Sequence, residues 1–202
     1  MQRSEAYHWL KKGERRKTTL MTLNQPLTAK HVSRRTGLSL EACSSVLWEL
    51  RNHGLVNCLN PSSRRSRLYW ITDYGEKCQD RLCTEEGRPM IQRYFPDIDW
   101  NLYGTVCFSH RSMVIKALVE PMQPATTKRK ARALNSKLRM SANNVRDVIR
   151  LFRRNGIVQQ VRFRRKFHSL YELTEIGKIF RVLLVRAEER IAGPVTSSVQ
   201  II

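Results

Sequence analysis

The sequence predicts a mainly helical protein with small β hairpins, of the α+β class, built from two tandem units. Apolar residues recur at three- and four-residue spacing in several stretches, as they do in helices that bury one face. Short apolar runs that end in glycine or polar residues follow these stretches and are typical of strands. The pattern of residues 39–75 occurs again at residues 141–177. A chain of 202 residues has room for two small domains.

The two stretches align at an offset of 102 residues without a gap. Nine positions are identical, whereas average composition would give roughly two. The identical pairs are Ser39/Ser141, Val46/Val148, Arg51/Arg153, Gly54/Gly156, Val56/Val158, Leu68/Leu170, Tyr69/Tyr171, Thr72/Thr174 and Gly75/Gly177. The conservative core pairs are Leu47/Ile149, Leu50/Phe152, Leu55/Ile157 and Ile71/Leu173. We therefore expect two copies of one unit, each with a helix, a hairpin and a second helix.

In the second copy the first helix is expected at residues 141–155 and the hairpin at 157–173. Ser141 is a candidate N-cap, and Gly156 is placed where a left-handed residue ends many helices. One helix face is apolar, with Val145, Val148, Ile149 and Phe152. The opposite face and the hairpin tip contain Asn143, Asn144, Arg146, Arg150, Arg153, Arg154, Arg164, Arg165 and Lys166. Side chains of these types pair with base edges or reach phosphates, so this copy is a candidate for nucleic-acid recognition.

The equivalent helix of the first copy, at residues 40–53, has a different outer face. Ser44 and Ser45 are candidate DNA contacts there, but Glu41 and Glu49 lie beside them and would repel phosphates. The hairpin that follows contains the candidate contacts Arg64, Arg65 and Arg67. We expect the first copy to bind DNA less strongly than the second.

Shorter helices are expected before each of these two helices. In the first half they lie at residues 18–23 and 28–36, and Gly37 ends the second of them. In the second half one is expected at residues 112–120, ended by prolines. The next stretch contains the further candidate DNA contacts Lys128, Arg129 and Lys130.

Charge separates the two copies. The whole chain has 37 Lys and Arg against 17 Asp and Glu, a net charge of +20 and a pI near 10.5, as expected for a protein that binds a polyanion. Residues 24–68 contain seven Lys and Arg and two acids, whereas residues 126–170 contain fourteen and one acid, Asp147. The second copy is therefore the stronger candidate. Membrane surfaces are the competing polyanion, and no apolar run approaches the roughly 20 residues needed to span a bilayer.

A family resemblance rests on the residues around the hairpins. Residues 54–61 (GLVNCLNP) and 67–75 (RLYWITDYG) resemble the wing of winged-helix transcription regulators of the MarR/ArsR kind, especially archaeal ones. The second copy keeps residues 170–177 (LYELTEIG). Residues 99–104 (DWNLYG) and 141–148 (SANNVRDV) resemble the preceding segment and the recognition helix of the same modules.

The resemblance covers most of residues 18–190. It implies a mainly α fold with small β wings (α+β), arranged as two tandem winged helix-turn-helix domains that bind DNA through helix and wing. It supplies neither a target sequence nor an effector.

The expected domains are residues 1–88, which begin with a basic extension, and residues 89–202, which begin with an aromatic segment. The extension either docks through Trp9 on the first domain or forms an arm that contacts phosphates or the minor groove. The aromatic residues between 94 and 108 are expected to form a core between the domains, with base stacking as the alternative. The closing helix, 175–191, is apolar over more width than one small domain needs, which favours docking on the first domain or a homodimer.

Catalytic and metal-binding motifs are not found in the sequence. The five cysteines are dispersed and favour a reducing, cytoplasmic compartment. The sequence contains no C-x-x-C pair, so a zinc ribbon or finger has little support. The five histidines show no ligand spacing, and the acids lie singly among basic residues. We expect neither an enzyme nor a cofactor or metal.

These observations predict a sequence-specific double-stranded DNA-binding protein of the cytoplasm, associated with the nucleoid, and most simply a transcription regulator. The main contact is expected from recognition helix 141–155 and wing 157–173. A replication or partition initiator of a plasmid or virus is an alternative, because such proteins also join two winged helices in one basic chain. A protein-interaction scaffold built on winged helices and an RNA-binding protein are further alternatives.

Overall fold

The structure is a computed structural model and describes residues 3–137, 139–161 and 169–189. Its helices are α1 (Arg3–Lys11), α2 (Glu14–Met21), α3 (Ala29–Thr36), α4 (Leu40–Asn52), α5 (Asp73–Glu85), α6 (Trp100–Val106), α7 (Ser109–Ala117), α8 (Pro124–Leu134), α9 (Ala142–Arg154) and α10 (Glu175–Arg186). Its strands are β1 (Leu27–Thr28), β2 (Val56–Cys58), β3 (Leu68–Ile71), β4 (Val158–Val161) and β5 (Leu170–Leu173). Many helices with small antiparallel sheets confirm the predicted α+β class.

Each half of the chain contains one small antiparallel sheet. In the first half the strand order is β1-β3-β2, and Leu27 lies opposite Tyr69. In the second half β4 pairs with β5, and Met122 forms an isolated bridge with Tyr171. Leu27 pairs with Tyr69 in the first half, and Met122 pairs with Tyr171 in the second. Tyr171 is the residue equivalent to Tyr69 at the offset of 102. In both halves a short segment lies beside the hairpin. In the first half it is the strand β1, before α3 and α4, and in the second half it is the single bridge at Met122, before α8 and α9.

The local structure of residues 39–75 recurs at 141–177. Helices α4 and α9 each have 13 residues and begin after a serine whose side chain accepts a hydrogen bond from a backbone N–H three residues on. The register is the same, with Val56 opposite Ile71 and Val158 opposite Leu173. Equivalent caps and pairings follow from equivalent sequence, because each depends on residues within the repeat.

A threonine joins hairpin and closing helix in both halves. The Thr72 hydroxyl donates to the carbonyl oxygens of Gly54 at 2.7 Å and Leu55 at 3.2 Å. The Thr174 hydroxyl donates to those of Gly156 at 2.6 Å and Ile157 at 3.1 Å. Each threonine also caps its helix by accepting from a glycine N–H. The end of the first helix and the start of the closing helix are thereby fixed to each other.

Two large hydrophobic cores lie under these elements, and each contains a residue from the other half of the chain. The first is built from α1 to α5 and their strands, and it also contains Ala187 from the end of α10. The second is built from α6, α7, α9, α10 and the second hairpin, and it also contains Leu68 from β3, with Leu59 packed against it. Helix α8 packs on α7 through a small separate cluster of Ala131, Met113 and Ala117. The hairpin of the first half therefore lies against the second core, and the C-terminal end of α10 lies against the first.

Arg35 on α3 connects the halves through hydrogen bonds. Its guanidinium donates to the carbonyl oxygens of Thr22 at 2.8 Å, of Ala187 at 3.2 Å and of Arg186. A cation at this end of α10 also meets the negative end of the helix dipole. Burial lowers the pKa of Arg35 to about 10, which leaves it charged at neutral pH. The contact is nonlocal, and only the folded chain assembles it.

Aromatic rings add a second connection between the halves. Trp70 stacks on Phe95 with centroids 5.1 Å apart, and Phe95 stacks on Trp100 at 4.9 Å. Trp100 meets Tyr103 edge-on, and Tyr103 contacts Phe180 of α10 at 5.3 Å. The series runs from β3 to α10, so the expected packing role of the aromatic segment is confirmed.

The N-terminal segment packs on the first half, as one of its two interpretations predicted. Trp9 stacks on His53 with ring centroids 3.6 Å apart, and the Arg16 guanidinium lies 3.9 Å from the Trp9 centroid. Its cations form ion pairs with acids of α4, of α5 and of the residue that follows α5: Arg16 with Glu49, Lys11 with Glu85 and Lys17 with Glu86.

Some boundaries differ from those predicted. Helix α7 begins at Ser109, three residues before the predicted start, and α10 ends at Arg186, where 191 was predicted. After Arg186 the backbone N–H of Ala187 donates to the Leu183 carbonyl at 2.9 Å and that of Glu188 donates to the Val185 carbonyl at 3.0 Å, which closes the helix. The apolar pattern alone does not show where tertiary contacts stop a helix.

Candidate nucleic-acid interface

Helix α9 is anchored on one side and open on the other. Val145, Ile149 and Phe152 are buried in the second core. The exposed residues on the rest of its surface are Asn143, Asn144, Arg146, Asp147, Arg150, Arg153 and Arg154. The four arginines meet a single carboxylate on this helix, so the open side has a positive charge.

Hydrogen bonds orient part of this surface. Arg146 Nη1 donates to Asn143 Oδ1 at 3.1 Å, one helical turn away. Arg150 Nη1 forms an exposed ion pair with Asp147 Oδ1, also at 3.1 Å. Exposed pairs of this kind contribute little to stability, so both arginines can exchange these partners for a ligand. Neither Arg153 nor Arg154 has an acidic partner among the described residues.

Asn144 belongs to the helix cap. Its Oδ1 accepts from the Ser141 backbone N–H at 3.1 Å and from the Ser141 hydroxyl at 2.7 Å, while its own backbone N–H donates to Ser141 Oγ at 3.0 Å. A bidentate contact with adenine needs both the oxygen and the amide nitrogen of an asparagine. Asn144 has only its nitrogen left for a base, whereas Asn143 uses its oxygen in one exposed bond to Arg146.

A basic groove lies between α8 and the start of α9. Lys128, Arg132 and Arg139 line a cavity of about 440 Å³ together with Ser141 and Asn144. None of these three cations has an acidic partner in the part of the chain that the structure describes. The α9 N-terminus adds the positive end of its dipole, so the groove suits phosphate groups.

The neighbouring candidates on α8 differ in how free they are. Lys130 is paired with Glu120 at 2.7 Å, and Arg129 is exposed. Arg132 and Arg139 were not chosen individually as contacts from the sequence. Lys128 and Arg132 are one turn apart on α8, whereas the spacing of Arg139 in the chain gives no sign that it shares their groove, because the connection between α8 and α9 brings it there.

A second cleft follows α9 on another side. Arg146, Arg150 and Arg153, at four- and three-residue spacing, line a cavity of about 150 Å³ with Pro124 and Tyr171. The arginines thus form a row along the helix axis. The groove and the cleft both adjoin α9, which makes one extended basic surface.

The predicted wing is only partly described. Gln159 and Gln160 of β4 are exposed and donate to Glu172 at 2.7 Å and to Ser169 at 2.8 Å. The tip residues Arg164, Arg165 and Lys166 lie outside the described residues. The glutamines were not identified from the sequence, since exposed polar residues on a short strand carry no distinct signal.

The equivalent surface of the first half is not basic. Ser44 donates its hydroxyl to the Leu40 carbonyl at 2.9 Å, and Ser45 is exposed. Trp48 occupies the position equivalent to Arg150 and is 60% exposed. Glu49 is held by Arg16 at 3.0 Å, which offsets some of the repulsion expected from its charge.

The hairpin of the first half is docked on the second core, and its basic tip is exposed. Asn60 is buried; its Oδ1 accepts from the Leu68 N–H at 2.7 Å and its Nδ2 donates to the Ser66 carbonyl at 3.1 Å. The arginines at the tip, Arg64, Arg65 and Arg67, are exposed. Because the hairpin is docked on the second core, the position of these three arginines relative to the second half is fixed.

Within the described residues, no group of three or more His, Cys, Asp and Glu side chains is arranged to hold a metal ion. No helix among them is long and apolar enough to cross a membrane. No protein-family model, curated protein or solved structure was found to match the chain.

Proposed function

We propose that the chain binds double-stranded DNA sequence-specifically and regulates transcription, with α9 as its main contact. The observation that carries the proposal is the extended basic surface formed by the open side of α9, the α8–α9 groove and the cleft at Tyr171. Most protein–DNA hydrogen bonds go to phosphates, and a cationic surface of this kind supplies them.

The element order supports two tandem winged helix-turn-helix domains, at residues 1–88 and 89–202. Helices α3 and α4 are joined by the three residues Gly37, Leu38 and Ser39, which is typical of a helix-turn-helix. A hairpin and a closing helix follow each candidate recognition helix. The second domain departs from the pattern, because seven residues join α8 to α9. Lys137 and Arg139 lie in this longer connection.

Within the proposed complex, the first turns of α9 approach base edges, as in helix-turn-helix docking. Asn143 and Arg146 occupy these turns, and their mutual hydrogen bond orders both side chains before binding. Lys128, Arg132 and Arg139 contact phosphates and set the register on the duplex. Arg153 and Arg154, at the far end of the helix, reach the backbone beyond.

A second candidate function, protein binding, is favoured for the first half alone. Its α4 exposes Trp48 and also Leu40, which is 45% exposed, where α9 has Arg150 and Ala142. Tryptophan is enriched at the centres of protein interfaces. Replacing Trp48 by alanine is expected to leave DNA affinity unchanged.

The proposed division of labour is tested with two variants of the second half. Lys128→Gln with Arg132→Gln should weaken binding to every duplex similarly and lower the slope of log affinity against log salt by about 0.9 for each lost phosphate contact. Asn143→Ala should lower the ratio of specific to random-sequence affinity with the slope unchanged. Fluorescence anisotropy on a selected duplex and a random duplex measures both quantities. Loss of specificity in the groove variant, with only general weakening in Asn143→Ala, would reverse the assigned roles.

A further inference from the structure

A separate cavity lies where the two halves of the chain meet. Its volume is about 180 Å³, well above the roughly 10–15 Å³ that one water needs. Helix α3 contributes Lys30, His31 and Arg34, and α7 contributes Ser109, Ser112 and Met113. The remaining lining residues are Cys107, Asn135, Lys137 and Glu188. The cavity does not share a residue with the groove or the cleft beside α9.

Cations outnumber acids around this cavity. Glu188 is the acid in its lining, and both of its oxygens are already engaged, Oε1 by Arg34 and Oε2 by Lys116 at 2.6 Å. Lys30 and Lys137 have no carboxylate partner among the described residues, and Lys30 donates instead to the Ser109 hydroxyl at 2.9 Å. In the lining, the three cations Lys30, Arg34 and Lys137 against one carboxylate leave an excess of two positive charges.

Burial and neighbouring cations both act on the groups that line the cavity. Desolvation, followed by the neighbouring Arg34, lowers the pKa of the Lys30 ammonium. Desolvation also holds the pKa of His31 at about 3, again with Arg34 as the next cause, so the ring is neutral at pH 7.

Hydrogen-bond donors converge on the same space. Helix α7 has nine residues, no side chain caps its N-terminus, and its first residue, Ser109, lines the cavity, so the positive end of the helix dipole lies beside this space. His31, only 5% exposed, lines the cavity independently of α7. Its Nδ1 accepts from the Thr28 N–H at 3.5 Å, which places the ring proton on Nε2. For this donor the described part of the chain provides no acceptor.

We propose that this cavity, lined by Lys30, His31, Arg34, Ser109 and Lys137, is a binding site for a phosphate group. A phosphate dianion has the charge to balance the excess and enough acceptor oxygens for two ammonium groups, a helix N-terminus, a hydroxyl and an imidazole N–H. A carboxylate has fewer acceptors, and the chain already supplies one through Glu188.

The site spans both halves and the connection to α9. An occupant would contact α3 of the first half, α7 of the second and, through Lys137, the segment that leads into α9. This consequence rests on the proposed DNA-binding function: a phosphate compound held here is placed to act as an effector, because it stabilises one arrangement of the segment before α9.

Isothermal titration calorimetry with inorganic phosphate tests the site without DNA. At constant ionic strength in chloride, the wild-type chain is expected to bind one phosphate. Lys137→Gln removes an exposed side chain whose hydrogen bond is made by its backbone N–H, so the fold is retained, and it should weaken binding by roughly tenfold. Glu188→Gln should strengthen binding by roughly tenfold, because it removes the competing carboxylate.

Controls separate the site from the general basic charge of the chain. Lys12→Gln with Arg15→Gln removes two exposed cations that do not line the cavity and should leave phosphate binding unchanged. Absence of saturable binding by the wild type, or equal weakening in this control and in Lys137→Gln, would overturn the proposal.

The source of the phosphate group is distinguished by repeating the titration with a duplex present. Phosphate binding that persists assigns the site to a free phosphate compound, whereas its loss assigns it to the DNA backbone. Both outcomes support the site. Because the first titration contains no DNA, failure of the phosphate site and failure of DNA binding are observed separately.

Discussion

Replacing Arg146 and Arg150 by alanine is expected to cost about 1–3 kcal/mol of DNA-binding free energy for each side chain that contacts a base, and to relax sequence preference. Both arginines are exposed and line the cleft beside Tyr171, so the loss falls on binding and not on folding. Anisotropy titrations of the single and double variants on a selected duplex measure the loss.

The matched control removes the same charge elsewhere. Lys12→Ala with Arg15→Ala lowers the net charge by two, as the double variant on α9 does, and both side chains are exposed. It should have a much smaller effect, confined to general affinity. Replacing Ser44 and Ser45, on the equivalent helix of the first half, should also cost less. An equal loss from the serine pair would mean that the two halves are ranked in the wrong order.

Gly177→Ala and Gly75→Ala are each expected to destabilise the fold by about 3 kcal/mol. A Cβ at Gly177 would overlap the backbone carbonyl oxygen of Ile157, and one at Gly75 would overlap that of Leu55. These oxygens accept from the backbone N–H and the hydroxyl of Thr174 and Thr72, so moving them breaks the junction between hairpin and closing helix. Urea unfolding followed by circular dichroism measures the change.

Gly13→Ala is the control for these substitutions. A Cβ there would meet the Arg16 side chain, so Arg16 must shift relative to Glu49 and Trp9, but no backbone is displaced and the residue has an extended conformation that alanine adopts easily. It should change stability by less than about 1 kcal/mol. Loss of stability at one of the two repeat glycines and not at the other would contradict equivalent close packing in the two halves.

Local structure was the part of the fold that the sequence could predict. The Ser141 cap, the left-handed Gly156 and the hairpin register depend on residues close together in the chain, and they recur at the offset of 102. The buried residues of α9 agree with the predicted apolar face. Such features follow from capping, backbone sterics and side-chain period alone.

Contacts between distant segments could not be predicted in the same way. Arg35 appears in the sequence as one more basic residue, yet it is largely buried against the end of α10. Arg64, Arg65 and Arg67 extend from a hairpin that is docked on the second core through Leu68. A count of charged residues treats all these cations alike, because it does not show which residues each cation contacts in the folded protein.

The candidate site shows the same division. The arginines of α9 follow from helical spacing, whereas the groove depends on how α8 meets the start of α9, which brings Arg139 to Lys128 and Arg132. The sequence does not distinguish Asn144 from Asn143, because both are asparagines at the start of the helix. The structure does, since the Asn144 Oδ1 accepts two capping hydrogen bonds from Ser141, whereas the Asn143 Oδ1 accepts one exposed bond from Arg146.

The salt dependence of DNA affinity tests the central claim most directly. If about six to ten cations of the basic surface contact phosphates, affinity for a duplex should fall by about 10³–10⁵ between 50 and 200 mM salt. The Lys128→Gln and Arg132→Gln double variant should show a shallower dependence, and the Lys12 and Arg15 control should not. A dependence that is nearly flat in the wild type, or equally steep in the wild type and the groove variant, would contradict DNA binding through this surface.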